Sequence, residues 1–255
     1  MTRRSAALQL VLALSFCHVG LAQHTGTFTQ TGDMMVPRIG HTATLLPDGR
    51  VLIAGGSEYG WTLSIAELYD PSTGSFTATG NMITARTGHS AILLPDGKVL
   101  IAGGGCPGLH GECTLRGALA SAELYDPSTG TFSATGSMTV AGSGLTWPIL
   151  LNDGKVLIAR GSTDNSPGPA ELYDPVTGTF SRTGDQLALG VQPDTVLPDG
   201  RVLFVSSCGA DQLYDQGSGT FSLTGNPKHC DEFAEFAAAA LADGTVLFAG
   251  GGRLL

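Results

Sequence analysis

Positive charge is scarce in this sequence. It has 13 lysines and arginines against 22 acidic residues, which gives a formal net charge of −9 at pH 7. Binding to nucleic acid depends on basic side chains that neutralise phosphates and release counterions. The acidic balance therefore argues against nucleic acid as the partner.

Long apolar runs are also missing. The longest run, residues 6–17, is shorter than the about 18 apolar residues that a membrane helix needs. It follows Arg3 and Arg4 and precedes a stretch of small residues, an order typical of a secretory signal peptide. We expect residues 1–22 to be removed and the mature chain to be secreted or periplasmic, without a membrane span. The alternative, a lipoprotein modified at Cys17, is disfavoured because a bulky residue precedes that cysteine.

Charged and aromatic residues are few, at 14% and 7% of the chain, whereas glycine is abundant, at 37 of 255 residues. This composition suits short buried strands that are joined by tight turns. The apolar content of 42% is too high for a disordered chain. A mature chain of about 230 residues is enough for one β domain of ordinary size.

The sequence contains internal repeats of two kinds. Copies of the first have an Asp-Gly pair between apolar runs: HTATLLPDGRVLIAGG (41–56), HSAILLPDGKVLIAGG (89–104), TWPILLNDGKVLIARG (146–161), QPDTVLPDGRVLFVSS (192–207) and FAAAALADGTVLFAGG (236–251). The second repeat follows the first four copies, as AELYDPSTGSF (66–76), AELYDPSTGTF (122–132), AELYDPVTGTF (170–180) and DQLYDQGSGTF (211–221). A period of roughly 50 residues is typical of repeat architectures.

Each pair of repeats divides into four strands at its turns. The Asp-Gly pair, as at Asp48, predicts a two-residue type I′ hairpin, because Asp-Gly suits the positive φ angles of that turn. The Tyr-Asp-Pro-x-Thr-Gly segment predicts an outer hairpin, since proline ends the ladder and glycine permits a left-handed residue. Runs such as residues 51–54 are apolar without alternation, so we expect both faces of each sheet to be covered, as when blades stack on one another.

These repeats resemble those of the bacterial kelch-type β-propellers, within the galactose-oxidase-like central domain superfamily. The resemblance rests on Arg38 with His41, the glycine doublet 55–56, Tyr69 and the aromatic Phe76. It covers essentially the whole mature chain and implies an all-β fold in which each repeat forms one four-stranded blade. The sequence departs from the family in having Phe where Trp is more common, and in replacing the doublet by Arg160-Gly161 and Ser206-Ser207.

We expect four complete blades and a partial fifth in the mature chain, residues 23–255. The segment GTFTQTGDM (26–34) matches GTFSATGSM (130–138), and the resemblance implies that this first strand, 26–34, pairs with the last blade. The fifth copy of the first repeat has no second repeat after it. Either the last blade lacks its third strand or the chain is truncated relative to longer relatives. We favour truncation, which would leave an open strand edge and a tendency to self-associate.

Two pairs of repeat-equivalent residues are candidates for binding. His41 and His89 open the innermost strands of the first two copies, but a closed zinc site needs about four ligands, so we predict a structural role for them. Arg38 and Arg86 precede these histidines by three positions. They either pack and ion-pair between blades or bind an anion or a sugar at the rim, because a guanidinium presents several fixed donors.

The four cysteines of the mature chain favour disulfides. Cys106 and Cys113 bracket a long loop, and we predict that they form a bridge in the oxidising compartment. In the topology that the resemblance implies, Cys208 and Cys230 emerge on the same face and would pair with each other. The rival interpretation is a metal cluster of Cys106, His110, Cys113 and His229.

One face of the propeller should collect the loops that follow the second strands and the linkers between blades. Loops on a rigid scaffold are where binding usually resides. Tyr59 and Trp61 could stack on a sugar or on an apolar side chain of a partner, or they could simply cap the blade. The residues expected on this face are Glu58, Tyr59, Trp61, His110, Glu112, Arg116, Asp164, Asn165, His229 and Asp231.

The sequence contains no G-x-S-x-G, H-E-x-x-H or Walker motif. The family it resembles includes copper oxidases and sugar-acid epimerases, but the repeat tyrosines are consensus strand residues and are not carried over as copper ligands. We therefore predict no metal and no cofactor, and we favour a protein that binds a protein or a glycan. The alternatives are a truncated propeller without independent function, and a carbohydrate-active enzyme that uses acids at the channel mouth such as Glu58, Glu112, Asp164 and Asp231.

Overall fold

The computed structural model describes residues 30–105, 117–141, 146–160, 168–187, 191–206, 210–225, 236–241 and 245–250. The chain divides into two units, Met1–Thr31 and Gly32–Leu255. Every strand named below belongs to the second unit. Within the described residues, no helix is long and apolar enough to cross a membrane.

Four antiparallel sheets of four strands each, which we call blades 1 to 4, form most of the described chain. Blade 1 also carries a small hairpin, β3 (Ser57–Glu58) and β4 (Trp61–Thr62), between its second and third strands. The strands of blade 1 are β1 (Thr42–Leu45), β2 (Val51–Ala54), β5 (Ala66–Asp70) and β6 (Ser75–Ala78); those of blade 2 are β7 (Ser90–Leu93), β8 (Val99–Ala102), β9 (Ala122–Asp126) and β10 (Thr131–Ala134).

Blades 3 and 4 repeat this up-and-down order, and β19 and β20 follow them as a two-stranded sheet. This all-β, propeller-like arrangement of four-stranded blades confirms the predicted fold class. The strands are β11 (Thr146–Leu150), β12 (Val156–Arg160), β13 (Pro169–Asp174), β14 (Thr179–Asp185), β15 (Val191–Val196), β16 (Val202–Ser206), β17 (Gln212–Asp215), β18 (Thr220–Leu223), β19 (Phe236–Ala240) and β20 (Val246–Gly250).

The hydrophobic cores lie between consecutive blades. In β8, Val99 and Ile101 pack in the core shared with blade 1, whereas Leu100 and Ala102 pack in the core shared with blade 3. A third core joins blades 3 and 4. Because alternate side chains of one strand enter two different cores, the second strands are apolar throughout, as predicted from their lack of alternation.

The inner hairpins differ from the predicted geometry. The Gly49 N–H donates to the Leu46 carbonyl at 3.0 Å, and the Leu46 N–H donates to the Arg50 carbonyl at 2.8 Å. Asp48 does not have a positive φ, since Tyr59 is the only such non-glycine among the described residues, and so the predicted type I′ turn is wrong. The loop is a type I turn followed by a left-handed glycine, because proline presets the φ of the first central residue.

A Thr-Gly pair after the fourth strand joins each blade to the next. At the junction of blades 3 and 4, the Gly184 N–H donates to the Gly219 carbonyl at 2.8 Å. The Thr183 hydroxyl lies 2.9 Å from the hydroxyl of Tyr214, which is fully buried in blade 4. Equivalent bonds to the outer turn of the following blade are made by Gly32, Gly80 and Gly136.

We expect Gly184→Ala to lower the free energy of unfolding by about 1–2 kcal/mol, measured by urea unfolding. A Cβ on this residue would lie 2.6 Å from the Gly219 carbonyl oxygen, which belongs to backbone and cannot move aside cheaply. Gly225 ends the equivalent pair after blade 4, and a Cβ there meets no described atom within 4 Å. Gly225→Ala is therefore the matched control. An equal loss of unfolding free energy in both variants would show that the contact with Gly219 does not cause the loss.

Several predictions made from the sequence fall outside the described residues. They include the signal peptide, both predicted disulfides, which involve Cys106, Cys113, Cys208 and Cys230, and the first part, residues 26–29, of the strand predicted over residues 26–34. The first two strands of the fifth repeat are described as β19 and β20. The completion of that blade stays a prediction.

Candidate functional site

The two ends of each blade differ in what they carry. The second strand ends and the third begins beside the linkers between blades, and we call this the linker end; the Asp-Gly and Tyr-Asp turns form the turn end. The linker into blade 2 contacts the loop of blade 1, since the Arg86 N–H donates to the Leu63 carbonyl at 3.2 Å. The Gly56 N–H donates in turn to the Arg86 carbonyl at 2.9 Å. Loop and linker therefore share one end, as predicted.

The β3–β4 hairpin projects two aromatic side chains from the linker end. Tyr59 is 94% exposed and Trp61 is 72% exposed. Tyr59 and Gly60 have φ angles of 46° and 86°, so this is the hairpin with two left-handed central residues that a type I′ turn requires. Asparagine or glycine is the usual first central residue there, and tyrosine in this conformation carries strain of about 1–3 kcal/mol. A strained, exposed aromatic residue marks the hairpin as a candidate binding element.

The hairpin is held by backbone bonds on both sides. Ser57 and Ile39 exchange two hydrogen bonds, at 2.8 and 3.0 Å, and Ile39 is itself 75% exposed. The Leu63 N–H donates to the Gly56 carbonyl at 2.8 Å and closes the base of the hairpin. Glu58 pairs across the hairpin with Trp61. Hydrogen bonds therefore fix the backbone that carries the exposed Tyr59 and Trp61, and Glu58 lies beside Trp61 on the same hairpin.

Arg38 and Arg86 are buried beneath the linker end and have internal partners. The Arg86 guanidinium bonds the Glu123 carboxylate at 2.7 Å and the carbonyls of Gly103 and Ser121 at 2.9 and 3.0 Å. Arg38 makes the equivalent set of bonds in blade 1, with Glu67 as its ion-pair partner. The side chains of these two ion pairs are 0–2% exposed. Both arginines are ion-paired, but each pair lies within one blade and its own linker and not between blades, and both guanidiniums are buried.

The glutamate of each pair also fastens the incoming linker. Glu123 accepts the N–H groups of Ile83 and Thr84 at 2.7 and 3.0 Å, and Glu67 does the same for Met35 and Val36. Both oxygens of the Glu123 carboxylate therefore accept hydrogen bonds, one of them from the charged guanidinium, and these bonds compensate for the loss of water on burial. These glutamates are the residues that sequence reasoning missed. The signal was their position, second in the AELYD repeat, together with arginine in the preceding linker.

Of the two histidines, His89 joins blade 2 to blade 1. The Nε2 atom of His89 lies 2.9 Å from the Thr42 hydroxyl of blade 1, which is the structural role predicted for it. Burial, with the positive charge of Arg86, lowers the pKa of His89 to about 3. Burial and the charge of Arg38 lower the pKa of His41 as well. Within the described part of the chain, no three His, Cys, Asp or Glu residues are grouped so that they could hold a metal ion.

A depression of about 350 Å³ lies at the turn end between blades 1 and 2. Its acidic residues are held in local turns; the hydroxyl and N–H of Ser128, for example, bond the Asp126 carboxylate and lower its pKa. Lys98 lies 4.0 Å from the same carboxylate. The Asp126 carboxylate in this depression therefore already has partners within its own turn. The depression lies at the end of the blades opposite to the aromatic hairpin.

Five of the nine predicted binding residues are described: Arg38, Arg86, Glu58, Tyr59 and Trp61. The structure places the last three on one hairpin and the two arginines in buried ion pairs. The other four, His110, Glu112, Asp164 and His229, lie outside the described residues, as do Arg116, Asn165 and Asp231.

No protein-family model matches the chain, and no curated protein matches it. Among solved structures, it is similar to a fungal alcohol oxidase of the AA5 family, determined in complex with copper. The identity is 17%, the TM-score is 0.46, and the alignment covers 84% of this chain and 59% of the oxidase. The chain therefore spans less than two thirds of the oxidase, and the likeness assigns it no activity.

Proposed function

We propose that this protein is a binding scaffold that holds a glycan or a protein through the β3–β4 hairpin at its linker end. The observation that carries the proposal is the exposure of Tyr59 and Trp61 on a fixed hairpin whose first turn residue is strained. An aromatic ring can stack on the C–H face of a sugar or pack against an apolar side chain. A residue with a strained backbone lowers the stability of the fold, and such residues cluster at functional sites.

We expect Tyr59→Asn to separate binding from stability. Asn-Gly is the preferred pair for a type I′ turn, so this variant should raise the free energy of unfolding by about 1 kcal/mol while it removes the ring. Trp61→Ala should weaken binding about tenfold, the loss that follows when a stacked aromatic contact of roughly 1.4 kcal/mol is removed. Binding of residues 23–255 to an array of neutral and acidic oligosaccharides, and to candidate proteins, is the measurement.

Val176 supplies the matched control, because it is 93% exposed but lies in the outer turn of blade 3, at the turn end. Val176→Ala should leave binding unchanged. Ligand binding that survives both Tyr59→Asn and Trp61→Ala would place the binding surface elsewhere and overturn the proposal.

Export and disulfide formation belong to the same proposal, and their support comes from the sequence of the first 22 residues and from the even number of cysteines after them. The enzyme alternative required two acids close together at the channel mouth. Of the acids named for it, Glu58 is described, and Glu112, Asp164 and Asp231 lie outside the described residues. What favours binding is the exposed aromatic pair Tyr59 and Trp61 on the β3–β4 hairpin.

A further inference from the structure

The β3–β4 hairpin carries an acidic and an aromatic side chain on the same face. Glu58 of β3 pairs directly with Trp61 of β4. Directly paired residues of an antiparallel ladder project from one face of the sheet, with their Cβ atoms about 5 Å apart. Trp61 is 72% exposed and Glu58 is partly exposed, so one ligand can reach both side chains.

Apolar side chains flank this hairpin on both sides. Ile39 exchanges two backbone hydrogen bonds with Ser57 of β3 and is 75% exposed. On the β4 side, the Met82 N–H donates to the Ser64 carbonyl at 2.8 Å, and the next residue, Ile83, is 64% exposed. Exposed apolar residues that are neighbours in the fold indicate an interaction surface. We call Ile39, Glu58, Tyr59, Trp61 and Ile83 the hairpin surface.

The distribution of charge favours a cationic ligand at this surface. The chain has a formal net charge of −9, and the hairpin itself contains one acidic residue, Glu58, and no basic one. The four basic residues that follow the Asp-Gly pairs lie at the turn end and have acidic partners. Arg38 and Arg86, the two described linker arginines, are buried with their own glutamates. The field of such an acidic chain attracts cations.

A cation that lies between Glu58 and Trp61 would interact with both side chains. The electron-rich face of the indole ring attracts a positive group, and the carboxylate bonds it from the side. A guanidinium suits this pair best, because its flat face can stack on the ring while its N–H groups donate to the carboxylate. Arginine, and after it lysine, is therefore the side chain that matches the pair.

The strength of these contacts indicates how large the ligand must be. At exposed sites a cation–π contact strengthens binding about two- to fivefold, and an ion pair strengthens it by about fivefold at most. Together they fall short of the about 1000-fold that millimolar binding of a free amine requires. The cation must therefore belong to a larger ligand, whose other groups bury Ile39, Tyr59 and Ile83, as a polypeptide segment would.

We propose that the hairpin surface docks a segment of a protein partner in which an arginine or a lysine, flanked by apolar residues, lies between Glu58 and Trp61. The flanking residues of the segment cover Ile39 and Ile83. Docking of this segment rests on the binding function proposed for the hairpin, and it selects a protein over a glycan as the ligand.

Binding of the purified protein to an array of immobilised pentapeptides tests this docking. Each peptide has a central arginine, lysine, citrulline or glutamate between pairs of varied apolar residues, and citrulline keeps the shape of arginine without its charge. At low salt we expect arginine peptides to bind about five- to tenfold more strongly than citrulline peptides, and glutamate peptides to bind least. High salt should reduce this preference, because exposed charges are screened.

Two variants and a matched control test the site itself. Glu58→Gln removes the charge, and Trp61→Leu removes the ring but keeps an apolar side chain; each should lower the preference for arginine over citrulline about threefold. Asp96→Asn removes one charge from an exposed residue at the turn end and should leave the preference unchanged. All three side chains are at least partly exposed, so we expect each variant to fold.

Equal binding of arginine and citrulline peptides, a preference that survives Glu58→Gln, or no binding to any peptide would overturn the docking of a basic segment. A response to oligosaccharides alone that Trp61→Ala abolishes would also overturn it, while the binding function of the hairpin would stand. Binding that survives both Tyr59→Asn and Trp61→Ala would instead overturn the function of the hairpin. The two failures are therefore distinguishable.

Discussion

Arg86→Met is expected to lower the free energy of unfolding by about 3–5 kcal/mol, because it leaves the Glu123 carboxylate buried without its counter-charge. The Arg86 and Glu123 side chains are 0% and 2% exposed, so water cannot replace the lost partner in the folded state. Urea unfolding monitored by circular dichroism gives the value. Replacing both residues, as Arg86→Met with Glu123→Gln, should recover part of the loss, because the neutral amide removes the stranded charge and its oxygen can still accept a linker N–H, as Gln212 does from Leu187 at 2.7 Å.

The matched control for this prediction is Arg50→Met. Arg50 pairs with Asp48 at 2.6 Å, but both side chains are at least one third exposed at the turn end. Exposed pairs contribute about 0–1 kcal/mol, so the control should change stability little. A loss below about 1 kcal/mol in Arg86→Met would show that the buried pair does not hold the linker to blade 2.

Acidification is expected to destabilise the protein through His89. Its pKa is about 3 in the folded state against an ordinary value of 6.5, so the unfolded chain binds more protons between these two values. The contribution of His89 is complete above about pH 6.5 and is lost progressively as the pH falls towards 3. Between pH 7 and pH 5 the loss amounts to about 2 kcal/mol, and it exceeds 3 kcal/mol by about pH 4.

Burial is the main cause of the lowered pKa of His89, because it disfavours the charged imidazole, and the positive charge of Arg86 acts in the same direction. Thr42 bonds the Nε2 atom of His89, and His41 is a further titratable neighbour. Urea unfolding at pH 7 and pH 5, for the natural sequence and for His89→Gln, isolates the effect. The variant should lose about 2 kcal/mol less over this interval, although its stability at pH 7 can be lower. The same pH dependence in both proteins would assign the acid sensitivity to other groups.

The inner turns show where sequence reasoning was incomplete. Asp-Gly between apolar runs predicted a hairpin, and hairpins are present at Asp48, Asp96, Asp153 and Asp199. The turn type was wrong, because proline or another residue before the aspartate adds a third loop residue and shifts the left-handed position to glycine alone. Among the described residues, the hairpin turn that has a left-handed non-glycine residue at its centre is Tyr59-Gly60, and tyrosine is not a residue that turn preference selects there.

The candidate site was predicted in part. The sequence identified Tyr59, Trp61 and the arginines, because aromatic residues in loops and arginines before repeats are visible without coordinates. Whether these side chains are exposed or buried could not be predicted. In the structure Tyr59 is exposed, whereas Arg86 is fully buried. Glu123 reaches Arg86 because the third strand of blade 2 lies beside the linker that carries this arginine.

The repeat, the four strands of each blade and the covering of both faces of each sheet could be predicted from the sequence, because turn residues and continuous apolar strands are local properties of the chain. Which polar residues are buried together and which are exposed depends on the packed structure. Ion pairs such as Arg86 with Glu123 join residues 37 positions apart. Their partner and their burial depend on how a linker lies across the following blade, and no local pattern contains that information.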